Sequence, residues 1–145
     1  MEQEKGFFLI KYLLIIIFIF LKIKIESTTI SIITGICEPT SGKVLINDKD
    51  IAKDAKEARS VLGYCPQHNL LFDDLTVYEH LEFFSKLKRN FDKQEIDKML
   101  DLINLSDKKN ALAKSLSGGM KRKLSVAIAF IGGSKTVILD EPSNN

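Results

Sequence analysis

The chain has no tryptophan, three prolines, two cysteines and two histidines among its 145 residues, and its net charge is only +2. Each shortage excludes something. Cys37 and Cys65, with His68 and His80, show no metal-ligand spacing, so a zinc or iron–sulfur framework is ruled out and buried thiols in a reducing compartment are expected. The histidines are expected to be structural or exposed. So small a net charge argues neither for nor against a polyanionic partner. No internal repeat and no low-complexity tail interrupts the chain. What is present, 45% apolar and 28% charged residues, is the composition of a globular protein long enough for one real core and no more than one domain.

The long apolar run lies at the N-terminus. Residues 12–21 are unbroken apolar and, as a helix, would span only about 15 Å, half a bilayer. Extending the run to residues 7–25 gives about 28 Å but encloses Lys11, Lys22 and Lys24. The segment is marginal as a membrane span. It is also a poor signal peptide, because Glu2 and Glu4 offset Lys5 and no small-residue cleavage site follows. A buried strand near residues 15–19 is the plainer expectation.

The informative stretch is residues 116–145. A short apolar, β-branched run at residues 136–139 suits a strand buried on both faces, as in a parallel sheet. It ends in Asp140 and Glu141. Carboxylates cannot stay ionised in such a core, so they are expected at the strand's C-terminal mouth, where open α/β sheets bind ligands. Alternation along a strand points the two in different directions, one towards a hard cation and the other towards a water. Upstream, Ser117 is a helix N-cap, and Gly118 and Gly119 leave the first-turn amides open to an anion. Lys121, Arg122 and Lys123 add positive charge. Leu124, Ala127, Ile128 and Ile131 follow at helical spacing, and Gly132-Gly133 ends the helix.

In this order and one helix apart, these two elements resemble the signature and Walker B motifs of ATP-binding cassette (ABC) proteins. The strings LSGGMKRKLSVAIAFIGGSKTVILDEPS and LGYCPQHNLLFDDLTVYEHLEFFSKLK look like the nucleotide-binding domain of subfamily A, the transporters associated with lipid export. The resemblance covers residues 27–145; residues 1–26 form a non-matching apolar segment. It implies an α/β, P-loop NTPase-like ABC ATPase core, incomplete here, with a helical signature subdomain at about residues 75–131.

The resemblance also assigns roles. Asp140 would hold Mg²⁺, Glu141 would polarise the attacking water, Gln67 would sense the metal and water, and Ser27 would be the remaining Walker A metal ligand beside Thr28 in the nucleotide site. Ser117, Gly118 and Gly119 would touch the γ-phosphate of an ATP held by a second nucleotide-binding domain. Implied partners are that domain and the transmembrane domains of a transporter, with no nucleic acid, at the cytosolic face of a membrane.

One part of the pattern is missing. Counting back from Ser27 along G-x-x-x-x-G-K-[ST], the positions of the phosphate loop and its approach fall on Phe20, Ile23 and Ile25, and the lysine falls on Glu26. Bulky residues cannot take the loop's turns or let the backbone close on a phosphate. Glu26 would repel a triphosphate charge by up to about 4 kcal/mol at ~4 Å. The positions of the family's D-loop and switch histidine fall past Asn145. Three readings follow: an ATPase unit that couples hydrolysis to transmembrane lipid transport; a non-hydrolysing half that donates its signature motif to a partner's site; or a truncated product without activity, in which residues 1–25 are unrelated translated sequence.

The remaining elements are local. Residues 43–46 read as a strand closed by Asn47-Asp48, residues 52–59 as a charged surface helix, and residues 61–65 as a strand leading to Gln67, and the strands at 43–46 and 61–65 are expected to build the α/β core with those near 15–19 and at 136–139. Thr76 and Glu79 form a capping box. The helix after it is expected to turn Leu81, Phe84 and Leu87 inward, and a second helix Ile96, Met99, Leu100 and Ile103.

Overall fold

The computed structural model describes residues 27–88 and 90–140. The expected strand near residues 15–19, the position of Glu26, and Glu141 lie outside the described residues. In chain order the elements are α1 (Ser27–Ile33), β1 (Leu45–Ile46), β2 (Lys49–Asp50), α2 (Ala55–Ser60), β3 (Leu62–Cys65), α3 (Val77–Leu87), α4 (Lys93–Leu102), α5 (Gly118–Phe130) and β4 (Thr136–Leu139).

The two strands that matter for function are β3 and β4. They pair in parallel, Leu62 opposite Thr136 through to Cys65 opposite Leu139. Parallel strands need a crossover, and here, among the described residues, it carries the α-helices α3, α4 and α5. Cys65 and Val137 are buried within the pair, as a strand covered on both faces requires. Helix α5 lies directly on β3: a Cβ at Gly63 would sit 1.8 Å from the carbonyl oxygen of Ala129. Only glycine permits that approach.

The run at residues 43–46 does not join this sheet. Its last two residues pair antiparallel with Lys49–Asp50 in a hairpin, closed by Asn47 and Asp48, both at positive φ (47° and 63°). That is the two-residue turn matching strand twist, and Asn and Asp tolerate it. The hairpin, α1 and α2 enclose a small cluster of Ile46, Ile51, Ala58 and Leu62, with Ile33 and Ile138 against it. The main core is elsewhere: Leu81 of α3, Ile96 and Leu100 of α4, and Leu124 and Ile131 at α5 are all at most 1% exposed. Side chains of this size contribute roughly 1.5–3 kcal/mol each when fully buried.

The helix starts follow the sequence closely. Thr76 and Glu79 make the reciprocal capping box, and Asp92 caps α4 by accepting from Gln94 N. Leu87 departs from expectation and is exposed, while Phe84 is half-buried. The helix ends there, and Lys88 turns its amine rather than Leu87 its side chain towards α5. Cys65 is buried as expected, but Cys37 is exposed. It lies in the loop after α1, beyond either core.

Candidate functional site

Strand β4 ends at Leu139, and its ladder continues one residue further through Asp140 N to Cys65 O (2.8 Å). Asp140 therefore stands at the C-terminal edge of the parallel pair, and Gln67 follows two residues after β3 at the same edge. The Tyr64 hydroxyl faces the Asp140 carboxylate at 3.5 Å, the outer limit of a hydrogen bond. Burial, and after it the Asp140 charge, push the Tyr64 phenol above its ordinary pKa, so it stays a donor at neutral pH. Burial also pushes the Cys65 thiol up, which keeps it uncharged under the strand tip.

Across this edge lies Arg122. It is only 5% exposed. Its Nη1 donates to the carbonyls of Pro66 (2.7 Å) and Gln67 (3.1 Å) and, longer, to Asn69 Oδ1 (3.4 Å), and its Nη2 donates to the carbonyl of Asp140 (3.1 Å). One planar group thus joins the Gln67 loop, the tip of β4 and helix α5. In the sequence Arg122 is one of three consecutive positive charges at a helix start. Lys123 is exposed; Arg122 is not. A signal was available, since Arg122, Ser125 and Ala129 fall at i, i+3 and i+7 and are all buried, which places the arginine on the packed face.

Helix α5 opens with Ser117 as N-cap, its Oγ accepting from Met120 N (3.3 Å). Ser117, Gly118 and Gly119 are exposed, and a Cβ built on either glycine would meet nothing within 4 Å. Glycine is a weaker helix former than alanine, by roughly 0.5–1 kcal/mol at an interior position and less at a first turn such as this one. Packing among the described residues does not explain that cost. The first-turn amides stand at the positive end of the helix dipole, an arrangement that suits a close-approaching anion.

The opposite end of α5 is closed. Lys88 Nζ donates to the carbonyls of Ile131 (3.0 Å) and Ala129 (3.3 Å) and to Ser134 Oγ (2.5 Å). The Glu95 carboxylate accepts from the amides of Gly132 (3.1 Å) and Gly133 (3.4 Å). Burial pushes the Lys88 ammonium down to about 8, against the raising influence of Glu95.

Of the sequence-predicted site residues, Gln67 and Asp140 meet at one sheet edge, and Ser117, Gly118 and Gly119 stand one helical turn before the arginine that links them. Thr28 is exposed in the first turn of α1, which Ser27 heads. Glu141 lies outside the described residues. His80 is structural: it is buried, with Nε2 accepting from Phe72 N (2.9 Å) and Nδ1 2.8 Å from Thr76 O. His68 is exposed. The bare glycine turn fits a phosphate presented from outside the chain. An own-chain triphosphate fits less well, because the positions counted back from Ser27 carry Phe20, Ile25 and Glu26 where the phosphate loop has its glycines and lysine.

Comparison with known proteins gives a consistent result. The family model for "ABC transporter" matches residues 26–144. The chain is 54% identical over 121 residues to ATP-binding cassette sub-family A member 2 of Rattus norvegicus, covering 81% of this chain and 5% of that protein. It is 49% identical over 122 residues to human phospholipid-transporting ATPase ABCA3, covering 82% of this chain and 7% of that protein. It is 52% identical over 122 residues to mouse retinal-specific phospholipid-transporting ATPase ABCA4, covering 82% of this chain and 5% of that protein. The chain therefore spans less than a tenth of the length of these relatives. Among solved structures, the ATP-binding subunit of an ABC transporter superposes with a TM-score of 0.72 at 29% identity, covering 81% of this chain and 50% of that one.

Proposed function

The chain belongs to the ABC transporter family, its sequence is that of a subfamily A nucleotide-binding domain, and from that premise we propose that it serves a lipid transporter as the donor of a signature turn. Ser117, Gly118 and Gly119 face an ATP held by a second nucleotide-binding domain, and the domain pair sits at the cytosolic face of a membrane against the transmembrane domains. ATP bound between such domains supplies the phosphoryl group and the driving free energy. This chain's own part is to present the open first-turn amides of Gly118 and Gly119 and the Ser117 hydroxyl to the γ-phosphate in a fixed orientation.

The observation that carries the reading is the open first turn of α5, where two glycines stand with nothing of the described chain against them. The relatives named as phospholipid-transporting ATPases support a lipid cargo. No helix among the described residues is long and apolar enough to cross a membrane.

A second reading rests on the shared edge of Gln67 and Asp140. There the chain hydrolyses its own ATP, with Asp140 and Ser27 holding Mg²⁺, Thr28 beside the phosphates, Glu141 polarising the water and Gln67 orienting it. Glu26 and the absent loop glycines and lysine weigh against this reading.

The two readings separate in one pair of measurements. The chain is mixed with an intact homologous nucleotide-binding domain and ATP hydrolysis is followed; stimulation by wild type and none by Ser117→Arg is the expected result. The isolated chain is then titrated with a fluorescent ATP analogue. Saturable micromolar binding there, with no stimulation in the mixture, would overturn the donor reading in favour of the second.

A further inference from the structure

We propose that Arg122 is a positioning residue that couples the two functional faces of this one chain, so that what happens at Ser117, Gly118 and Gly119 sets the geometry of Gln67 and Asp140. In the donor reading those faces belong to different ATP sites, and the proposal rests on that reading for its biological meaning. The coupling itself is a property of the isolated chain.

Three observations carry it. Arg122 lies three residues after Gly119 on the same helix, about one turn, so a displacement of the first turn moves the guanidinium with it. The two Nη atoms go to different segments: Nη1 to the carbonyls of Pro66 and Gln67, and Nη2 to the carbonyl of Asp140. A planar fork fixes the spacing of the acceptors it bridges, which an ammonium on a flexible stem cannot do. Finally, the far end of α5 is tied to α3 and α4 through Lys88 and Glu95. The helix therefore has a held end and an open end, and the arginine stands just inside the open one. Asp140 is also tied to β3 by its own amide, so a shift of the guanidinium is transmitted to a strand tip already held in place.

The chemistry of the coupling is plain. Moving the first turn of α5 towards a phosphate draws the Pro66 and Gln67 carbonyls with the guanidinium while the Asp140 carbonyl holds its other arm to the strand tip, so the Gln67 loop is repositioned against the carboxylate. Lysine at this position keeps the charge and loses the fork.

The test is a cycle on the full chain, read by backbone amide resonances. Ser117→Ala perturbs the open end of α5. In the wild-type background the amide resonances of Gln67 and Asn69 are expected to shift, and in the Arg122→Lys background that transmitted shift is expected to fall by about fivefold or more. The amides of Leu124 and Ile128 should respond equally in both backgrounds. A residue that only supported packing would lower the melting temperature of Arg122→Lys and leave the transmitted shift intact, and that result would overturn the proposal, as would absence of any shift at Gln67 in wild type. Arg122→Gln, planar but able to reach one segment only, is run in parallel and gives the same reading if the lysine variant does not fold. Addition of the intact homologous domain with a non-hydrolysable ATP analogue should move the Gln67 and Asn69 resonances of wild type. If no complex forms, the donor reading fails, while the Ser117 and Arg122 cycle still decides the coupling by itself.

Discussion

The two ends of helix α5 are built in opposite ways. At its start, Ser117 caps one amide and two glycines stand bare to solvent. At its finish, an amine from after α3 and a carboxylate from α4 take up the carbonyls and the amides of the Gly132-Gly133 turn. Unsatisfied groups at helix ends must find partners. This chain provides them at the end that must not move and withholds them at the end that faces outward. A helix anchored in this way can present its first turn accurately, because the whole core cluster stands behind it.

The contrast can be broken from either side. The largest effect is expected at Gly63→Ala, where a Cβ would lie 1.8 Å from Ala129 O, backbone on both sides. Overpacking typically costs ~1–3 kcal/mol and more where backbone must move. The variant should lose at least that much in urea unfolding, with α5 displaced from β3.

Lys88→Met tests the closed end more gently. It keeps the volume and removes the amine from the Ile131 and Ala129 carbonyls, for an expected loss of about 1–3 kcal/mol at unchanged m-value. A pH signature accompanies it. The folded-state pKa of Lys88, about 8, lies below that of an unfolded lysine, so the unfolded chain binds more protons above pH 8 and the lysine's contribution to stability rises from there towards pH 10. The raised pKa values of Cys65 and Tyr64 act in the other direction. The difference between wild type and Lys88→Met isolates the lysine, and it should widen with pH across this window.

The smallest and most telling effect is expected at the open end. Gly118→Ala meets nothing, and replacing glycine in a helix should stabilise the fold by about 0.4–1 kcal/mol. The same variant should lower stimulation of a partner domain's ATP hydrolysis, because the new methyl stands where a phosphate must approach. A more stable fold with unchanged stimulation would mean that the bare turn has no outside ligand.

What could be read in advance was local. The Thr76 capping box, the Ser117 cap, the helix stop at Gly132 and the strand at residues 136–139 depend on residues within one or two turns of each other, and the structure has them where the pattern put them. What was misread depended on distant partners. Residues 43–46 have the composition of a core strand, but their strand residues pair with their own continuation in a hairpin. Leu87 has the spacing of a buried position but falls at a helix end where Lys88 meets α5. Arg122 reads as a surface charge in the sequence because its shortest hydrogen bonds described here go to backbone carbonyls, which carry no side-chain signature.

The order of motifs, the family and the bare glycine turn were determined by the sequence alone, since they rest on residue identity and short spacing. Only the tertiary structure decided that the Gln67 loop, the tip of β4 and the signature helix meet at one buried guanidinium. The physical reason is that backbone carbonyls are chemically alike along every chain, and folding alone selects which of them a given arginine can reach.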